Sequence, residues 1–148
     1  MLWNRLNADR RDVYVQLKSK GFRLANIISP NSIIHGTLQG DNCWIADGVI
    51  IDFNTLIREN VIVQIGAHIC TNTDIGAHCF IGAKALVAGA CKLGEQTFVG
   101  INATVLDEVL IGNNCLVGAC TMVKRNLLDY SKIVCRTLGT CVKKYECA

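Results

Sequence analysis

From Ile27 to Val123 every sixth residue but one is aliphatic, and this period constrains the fold more than any other feature of the chain. The series is Ile27, Ile33, Gln39, Ile45, Ile51, Ile57, Val63, Ile69, Ile75, Ile81, Val87, Leu93, Val99, Val105, Ile111, Val117 and Val123. At the single break, Gln39, an apolar residue sits beside the beat as Leu38. A helix repeats near 3.6 residues and a half-buried strand near 2, so neither accounts for a period of six. A fixed short repeat sustained over most of a chain predicts stacked units that bury a continuous core only together.

Two further positions keep the same beat. Two residues before the aliphatic position the side chain is small or β-branched: Cys43, Thr55, Ala67, Thr73, Cys79, Ala85, Cys91, Thr97, Ala103, Cys115 and Thr121. A narrow, close-packed interior selects such residues. Directly after the aliphatic position come Gly40, Gly76, Gly82, Gly94, Gly100, Gly112 and Gly118, which read as turn residues using positive φ. Cys43, Cys79, Cys91 and Cys115 fall on the small position and read as compact core filler. Cys70, Cys120, Cys135, Cys141 and Cys147 fall off it, with no partner in the pattern that would make one a nucleophile.

Composition narrows the class. A length of 148 residues predicts one domain, and 51% hydrophobic against 18% charged residues excludes disorder. No apolar run approaches the roughly 18 residues of a membrane span. The start, MLWNRLNADRR, carries charge where a signal peptide needs apolar residues, so a soluble, cytoplasmic chain is expected. The nine cysteines are odd in number and form no C-x-x-C pair, which argues for reduced thiols and against a zinc site or a disulfide framework. Basic residues cluster in 1–23 and 124–148 around an acidic body, so no continuous nucleic-acid stripe is expected.

The segments IGAHCF, LGEQTF and IGNNCL-VGACTM resemble the hexapeptide repeat of left-handed parallel β-helices. The resemblance implies an all-β fold in which three hexads make one triangular coil, so that residues 18 apart stack. It divides the chain into an N-terminal helix and linker (1–26), the β-helix (27–123) and an extended C-terminal tail (124–148). Within 1–26, residues 8–20 read as a short helix with Val13 and Leu17 on one face and Gly21 past its end. The segment GFRLANIISPNSII resembles the junction in sugar acetyltransferases of the sialic-acid O-acetyltransferase type, a group that includes bacillosamine and amino-sugar N-acetyltransferases. There a Rossmann-like sugar-nucleotide domain precedes the β-helix, and the resemblance makes 1–26 the remnant of one.

What that family does is implied on specific residues. Its members are typically homotrimers that bind acetyl-CoA between neighbouring prisms and act on nucleotide-linked sugars, and no metal is expected. The segment AHICTNTDIGAHCFI keeps His68 and the IGAHCFI end of the family pattern, but the usual general-base histidine falls on Thr71, with Asn72 next to it. A further family histidine falls on Lys84. An alcohol needs a base at neutral pH, whereas an amine can lose its proton to solvent or to the departing thiolate. The resemblance therefore implies N- rather than O-acetylation, by positioning, with Asn72, Thr71 and His68 as the catalytic candidates. Pantetheine is expected along Gly89, Ile101 and the Gly118–Ala119 turn, with Thr71, Gly89 and Asp107 in one column. Lys124, Lys143 and Lys144 are candidates for the CoA phosphates. The family's G-x-P-A after the β-helix is replaced by CRTLGTCVKK.

His35, 36 residues before Thr71 and so two coils up the same column, reads as a surface residue, and His78 as a weaker site candidate than His68. Two other functions remain as alternatives. A γ-type carbonic anhydrase needs three histidines around a metal, and the spacing of His35, His68 and His78 does not supply them. A non-catalytic trimeric module that binds CoA or a partner is compatible with the loss of the family histidine.

Overall fold

The computed structural model describes residues 2–136 and 139–144, and side chains from 6 to 135. It is a parallel β-helix of about six turns preceded by one helix. Each coil lays one two-residue strand on each of three faces. The first face stacks Ile27–Ile28, Trp44–Ile45, Ile62–Val63, Phe80–Ile81, Phe98–Val99 and Leu116–Val117. On the second lie Ile33–Ile34, Ile50–Ile51, His68–Ile69, Leu86–Val87, Thr104–Val105 and Met122–Val123. The third carries Thr37–Leu38, Leu56–Ile57, Asp74–Ile75, Lys92–Leu93 and Leu110–Ile111.

From Ile45 onward the sixth-residue beat is the inner wall, and Ile45, Ile51, Ile57, Val63, Ile69, Ile75, Ile81 and Val87 are fully buried. The first coil corrects the expected register. Ile28 pairs with Ile45, Ile34 with Ile51 and Leu38 with Ile57, so the inward residues are Ile28, Ile34 and Leu38. Ile27 and Ile33 point outward and are exposed, and Gln39 is no exception because Leu38 fills its place. The coil also runs past Val123. Leu127 bridges to Ile111 and Ile133 pairs with Val117, both buried, before Ser131–Arg136 turns back in an antiparallel hairpin with Gly139–Lys144.

The small inward position does more than save space. The hydroxyls of Thr55, Thr73 and Thr97 donate to Cys70 O, Ala88 O and Gly112 O at 2.9–3.1 Å, fifteen residues ahead on the next coil. Cys43, Cys79 and Cys91 make the same bond, donating to Arg58 O, Gly94 O and Leu106 O at 3.1 Å. Thr and Cys are thus interchangeable here because each pairs a carbonyl that burial would otherwise leave unsatisfied. Burial pushes all four of these thiols, Cys115 included, above their ordinary pKa, Cys79 to about 12. They are packing groups, as the pattern predicted.

The corners correct the reading of the glycines. Positive φ falls three residues before the inward aliphatic residue, at Asn42, Gly48, Asn54, Asn60, Gly66, Asn72, His78, Lys84, Ala90, Gln96, Asn102, Glu108, Asn114 and Cys120. Asparagine is frequent there because its short polar side chain tolerates the left-handed region. The seven glycines after the aliphatic position do not have positive φ. All but Gly118 are required by close stacking: a Cβ on Gly94 would lie 2.6 Å from Asn113 N, and one on Gly76 2.7 Å from Leu93 O.

The helix, α1, runs Leu2–Ser19, starting earlier than expected. It ends where Gly21, at φ 81, and Phe22 donate to Lys18 O and Leu17 O, the paired bonds of a Schellman stop. Val13 is exposed and Leu17 only half-buried, so apolar burial contributes little to docking. The helix instead lies on the corner between third and first faces through polar groups. Asn7 Nδ2 donates to Gln96 O (3.2 Å), Arg10 Nη2 to Asn60 O and to Asn60 Oδ1 (3.1 Å), and Tyr14 Oη to Asp41 Oδ1 (2.6 Å). The corner presents carbonyls and amides, so its partner had to be polar.

Candidate active site

Each strand of the second face sends its outward side chains to solvent on either side of a buried aliphatic residue. On one coil these are His68 and Cys70, around Ile69; on the coil before, Ile50 and Asp52, around Ile51. The backbone bonds Ile50 N to Ala67 O (3.0 Å) and Asp52 N to Ile69 O (2.9 Å) stack Asp52 over Cys70. His68 Nε2 lies 3.0 Å from Asp52 Oδ2, the side chains being 38% and 28% exposed. One ligand-capable atom from each of Asp52, His68 and Cys70 lies within 4.8 Å of the other two. The carboxylate fixes His68 with the proton on Nε2, which leaves Nδ1 as the lone-pair nitrogen. Burial raises the Cys70 pKa, and the charges of Asp52 and Asp107 add to the effect, so Cys70 is a thiol rather than a thiolate.

Asp52 and Cys70 are the residues that sequence reasoning missed. The signal was present as spacing: 52 and 70 are one coil apart, and 68 shares the outward side of the same strand. The pattern gives Cys70 no partner that makes it a nucleophile, and its raised pKa agrees; the structure adds that Asp52 and His68 stand within 4.8 Å of it.

Next along the chain, Thr71 and Asn72 turn the corner between second and third faces. Thr71 is exposed, and its carbonyl accepts from Ala90 N at 2.9 Å. Asn72 sits at φ 59, with Asn54 Nδ2 donating to its Oδ1 at 3.4 Å. Gly89 lies one coil below Thr71, and its N–H donates to Asp107 Oδ1 at 2.9 Å, so the expected Thr71–Gly89–Asp107 column is present. A Cβ on Gly89 would meet only ordinary contacts, the nearest being Asp107 Oδ1 at 3.4 Å, and φ there is not positive. Unlike Gly76 or Gly94, this glycine is not demanded by the stacking.

The other acetyl-CoA candidates lie elsewhere. Ile101, Gly118 and Ala119 line a cavity of about 360 Å³ beside the corner between first and second faces, closed by Phe98, Leu116 and Val134. Gly89 lies at the opposite edge of the second face. Within one chain, therefore, these residues do not form a single run. Lys124 is exposed, continuing the column of Asp52, Cys70, Ala88 and Leu106. The side chains of Lys143 and Lys144 lie outside the described residues.

The remaining histidines have structural surroundings. His78 is 7% exposed under α1, with Asn60 Nδ2 2.9 Å from its Nδ1 and Tyr14 edge-on at 5.4 Å; burial lowers its pKa. His35 is exposed and stacks on Phe53 at 4.3 Å. Because of the first-coil shift, His35 N bonds Ile51 O, which puts His35 above Asp52 rather than in the column of Thr71. No helix among the described residues is long and apolar enough to cross a membrane.

The family described as bacterial transferase hexapeptide (six repeats) matches residues 54–89 and 90–125. The chain is similar to a histidine-to-asparagine variant of perosamine N-acetyltransferase from Caulobacter crescentus, solved in complex with CoA and GDP-perosamine. Identity is 28% and the TM-score 0.87 over 93% of this chain and 65% of that one. It is also similar to the acetyltransferase domain of PglB from Neisseria gonorrhoeae FA1090 in complex with acetyl coenzyme A, at 19% identity and TM-score 0.84, covering 88% of this chain and 64% of that one. A third likeness, at 16% identity and TM-score 0.51, is to a variant of AntD, an N-acyltransferase from Bacillus cereus in complex with dTDP and coenzyme A, covering 90% of this chain and 88% of that one. The last two bear on the fold alone. The chain spans 65% of the length of the first of these structures. No curated protein sequence matches it.

Proposed function

We propose, for a chain that belongs to the hexapeptide-repeat transferases of the left-handed β-helix superfamily, that it moves acetyl from acetyl-CoA to the amine of a nucleotide-linked amino sugar. The observation that carries this reading is the likeness, at 28% identity over 93% of the chain, to an N-acetyltransferase solved with CoA and GDP-perosamine.

The neutral amine attacks the thioester carbon; the C–N bond forms, the C–S bond breaks, and the nitrogen gives up one proton as the thiolate leaves. Sequence alone left that proton to solvent or to the thiolate. The pairing of His68 with Asp52 supports a nearer acceptor, His68 Nδ1, which then returns the proton to the departing CoA sulfur. Asp52 holds the ring and stabilises the imidazolium. Thr71 and Asn72, on the adjoining corner, orient the acceptor sugar. Holding nitrogen and carbon in contact supplies several kcal/mol of the barrier without further chemistry.

Pantetheine runs past Gly89, where the missing side chain leaves the backbone approachable, with Lys124 on a phosphate. The apolar cavity of Ile101, Gly118 and Ala119 takes the other acetyl-CoA contacts. Because those two edges flank the second face of one chain, a complete groove calls for the edges of two chains, which a homotrimer provides.

Calorimetric titration with acetyl-CoA, with free CoA as control, tests the reading. One saturable site per protomer is expected, followed by thiol release when a GDP- or UDP-linked amino sugar is added. A folded protein that does not bind acetyl-CoA overturns it. Binding without thiol release from any acceptor leaves the non-catalytic module, the reading favoured by Thr71 and Asn72 standing where the family histidine is expected.

A further inference from the structure

We propose that Asp52, His68 and Cys70 form a binding site for zinc on the outer wall of the second face. The three residues bring one carboxylate oxygen, one ring nitrogen and one sulfur to within 4.8 Å of one another. They come from two adjacent strands whose spacing is locked by the backbone bonds Ile50 N to Ala67 O and Asp52 N to Ile69 O. Buried Ile51 and Ile69 anchor the strands from the inside. The ligands are therefore placed by the rigid part of the molecule and not by a loop.

The donor set selects the metal. Magnesium and calcium take oxygen ligands at almost every position, whereas a sulfur, a nitrogen and an oxygen together suit a borderline-soft ion. Zinc bonds of about 2.0–2.3 Å at tetrahedral angles put neighbouring ligand atoms about 3.3–3.6 Å apart. Asp52 Oδ2 and His68 Nε2, at 3.0 Å, need to open by a few tenths of an ångström, and the thiol to swing inward. All three side chains are half-buried, so one side of the cluster faces solvent. Three protein ligands with an open fourth position is the arrangement of reactive rather than purely structural zinc.

Nothing comparable occurs elsewhere among the described residues. The thiols of Cys43, Cys79, Cys91 and Cys115 are buried against backbone carbonyls, and His78 Nδ1 is taken by Asn60. The sequence hid the cluster because no two of its ligands have a zinc-site spacing; only the coil brings position 52 onto 68 and 70. Zinc on His68 Nε2 would move the ring proton to Nδ1, the nitrogen assigned above to accept the transferred proton, and so suppress acetyl transfer. The binding inference does not rest on that assignment, and its test contains no acetyl transfer, so either can fail alone.

Cobalt(II) titrated into the metal-free protein under a non-thiol reductant reads the site directly. One equivalent per protomer is expected, with a thiolate-to-cobalt charge-transfer band that one equivalent of zinc abolishes. Cys70→Ser should remove the band, and His68→Gln and Asp52→Asn should each weaken cobalt binding by more than about tenfold. Cys120→Ser, at an exposed thiol outside the cluster, should leave the band intact. Circular dichroism of each variant separates lost ligation from lost fold. The absence of a band at saturating cobalt, or a band of undiminished strength in folded Cys70→Ser, would overturn the proposal.

Discussion

Two corners of the same coil have the same backbone and opposite chemistry. Asn60 and His78 on one, and Asn54 and Asn72 on another, all lie in the left-handed region at φ between 55 and 62. The first corner is roofed by α1, which brings Asn7, Arg10 and Tyr14 down on it and leaves His78 7% exposed. The second has no such roof; Thr71 and Asn72 are exposed, and His68, on the strand leading into it, is 38% exposed. A solenoid repeats its backbone but not its environment. What covers a position decides whether a histidine there is a packing group or a reagent.

Exchanging the roles of the two histidines gives the largest expected effect. His68→Ala should lower the turnover number of acetyl transfer by about 10²–10⁴, the usual worth of a general base, with little change in melting temperature. His78→Ala should do the reverse. It leaves the buried Asn60 amide without its ring partner, at a cost of about 1–3 kcal/mol of stability, with kcat nearly unchanged. Paired kinetics and denaturant melts of the two variants check this, and equal losses of activity would erase the distinction between the corners.

A glycine pair sharpens the same comparison. Gly94→Ala forces a Cβ to 2.6 Å from a backbone nitrogen that cannot move without shifting the next coil, and about 3 kcal/mol of destabilisation is expected. Gly89→Ala meets only ordinary contacts beside Asp107 and should leave stability within about 0.5 kcal/mol. On the proposed reading its methyl group narrows the pantetheine path, so acetyl-CoA affinity falls while the melt does not. Calorimetry on both variants reads the split.

Much of the fold was legible because the repeat is a packing rule. Ile45 to Val123 lie inward, and the four cysteines on the small position are buried, because a triangular core admits one aliphatic and one small residue per side. The first coil was misread because Ile27–Ile28 and Ile33–Ile34 are adjacent isoleucines, and pattern alone cannot say which of two neighbours points inward. The glycines were misread for a different reason. Their need comes from the coil below, at Gly112 for Gly94, and no local conformation announces it. The candidate site was half visible. His68 carried a recognisable motif, while Asp52 and Cys70 became partners only through stacking.

The roof itself can be loosened. Arg10 is substantially buried, which lowers its pKa, and its guanidinium donates to Asn60 O and Oδ1. Arg10→Ala should cost about 1.5–3 kcal/mol, the worth of hydrogen bonds to a charged group. Protonation of His78 offers a gentler test. Its folded pKa lies below the unfolded value near 6.5, so the unfolded chain binds more protons between the two. Stability should therefore be steady above about pH 6.5, decline as pH falls below it, and level off beneath the folded pKa. In His78→Ala that part of the decline should disappear from a pH series of urea melts.

The smallest expected effect separates backbone from chemistry at Asn72. Its left-handed φ of 59 is a demand of the corner, which asparagine meets cheaply and glycine meets as well. Asn72→Gly should thus leave stability within about 0.5 kcal/mol, whereas Asn72→Ala should cost about 1 kcal/mol for placing a Cβ-bearing, non-polar residue there. Activity then discriminates between the two roles. If the side chain orients the acceptor sugar, both variants raise the KM for the sugar with the acetyl-CoA constant unchanged. If Asn72 only turns the chain, Asn72→Gly retains full activity, and Thr71 and His68 alone remain as the groups of this edge that act on the substrate.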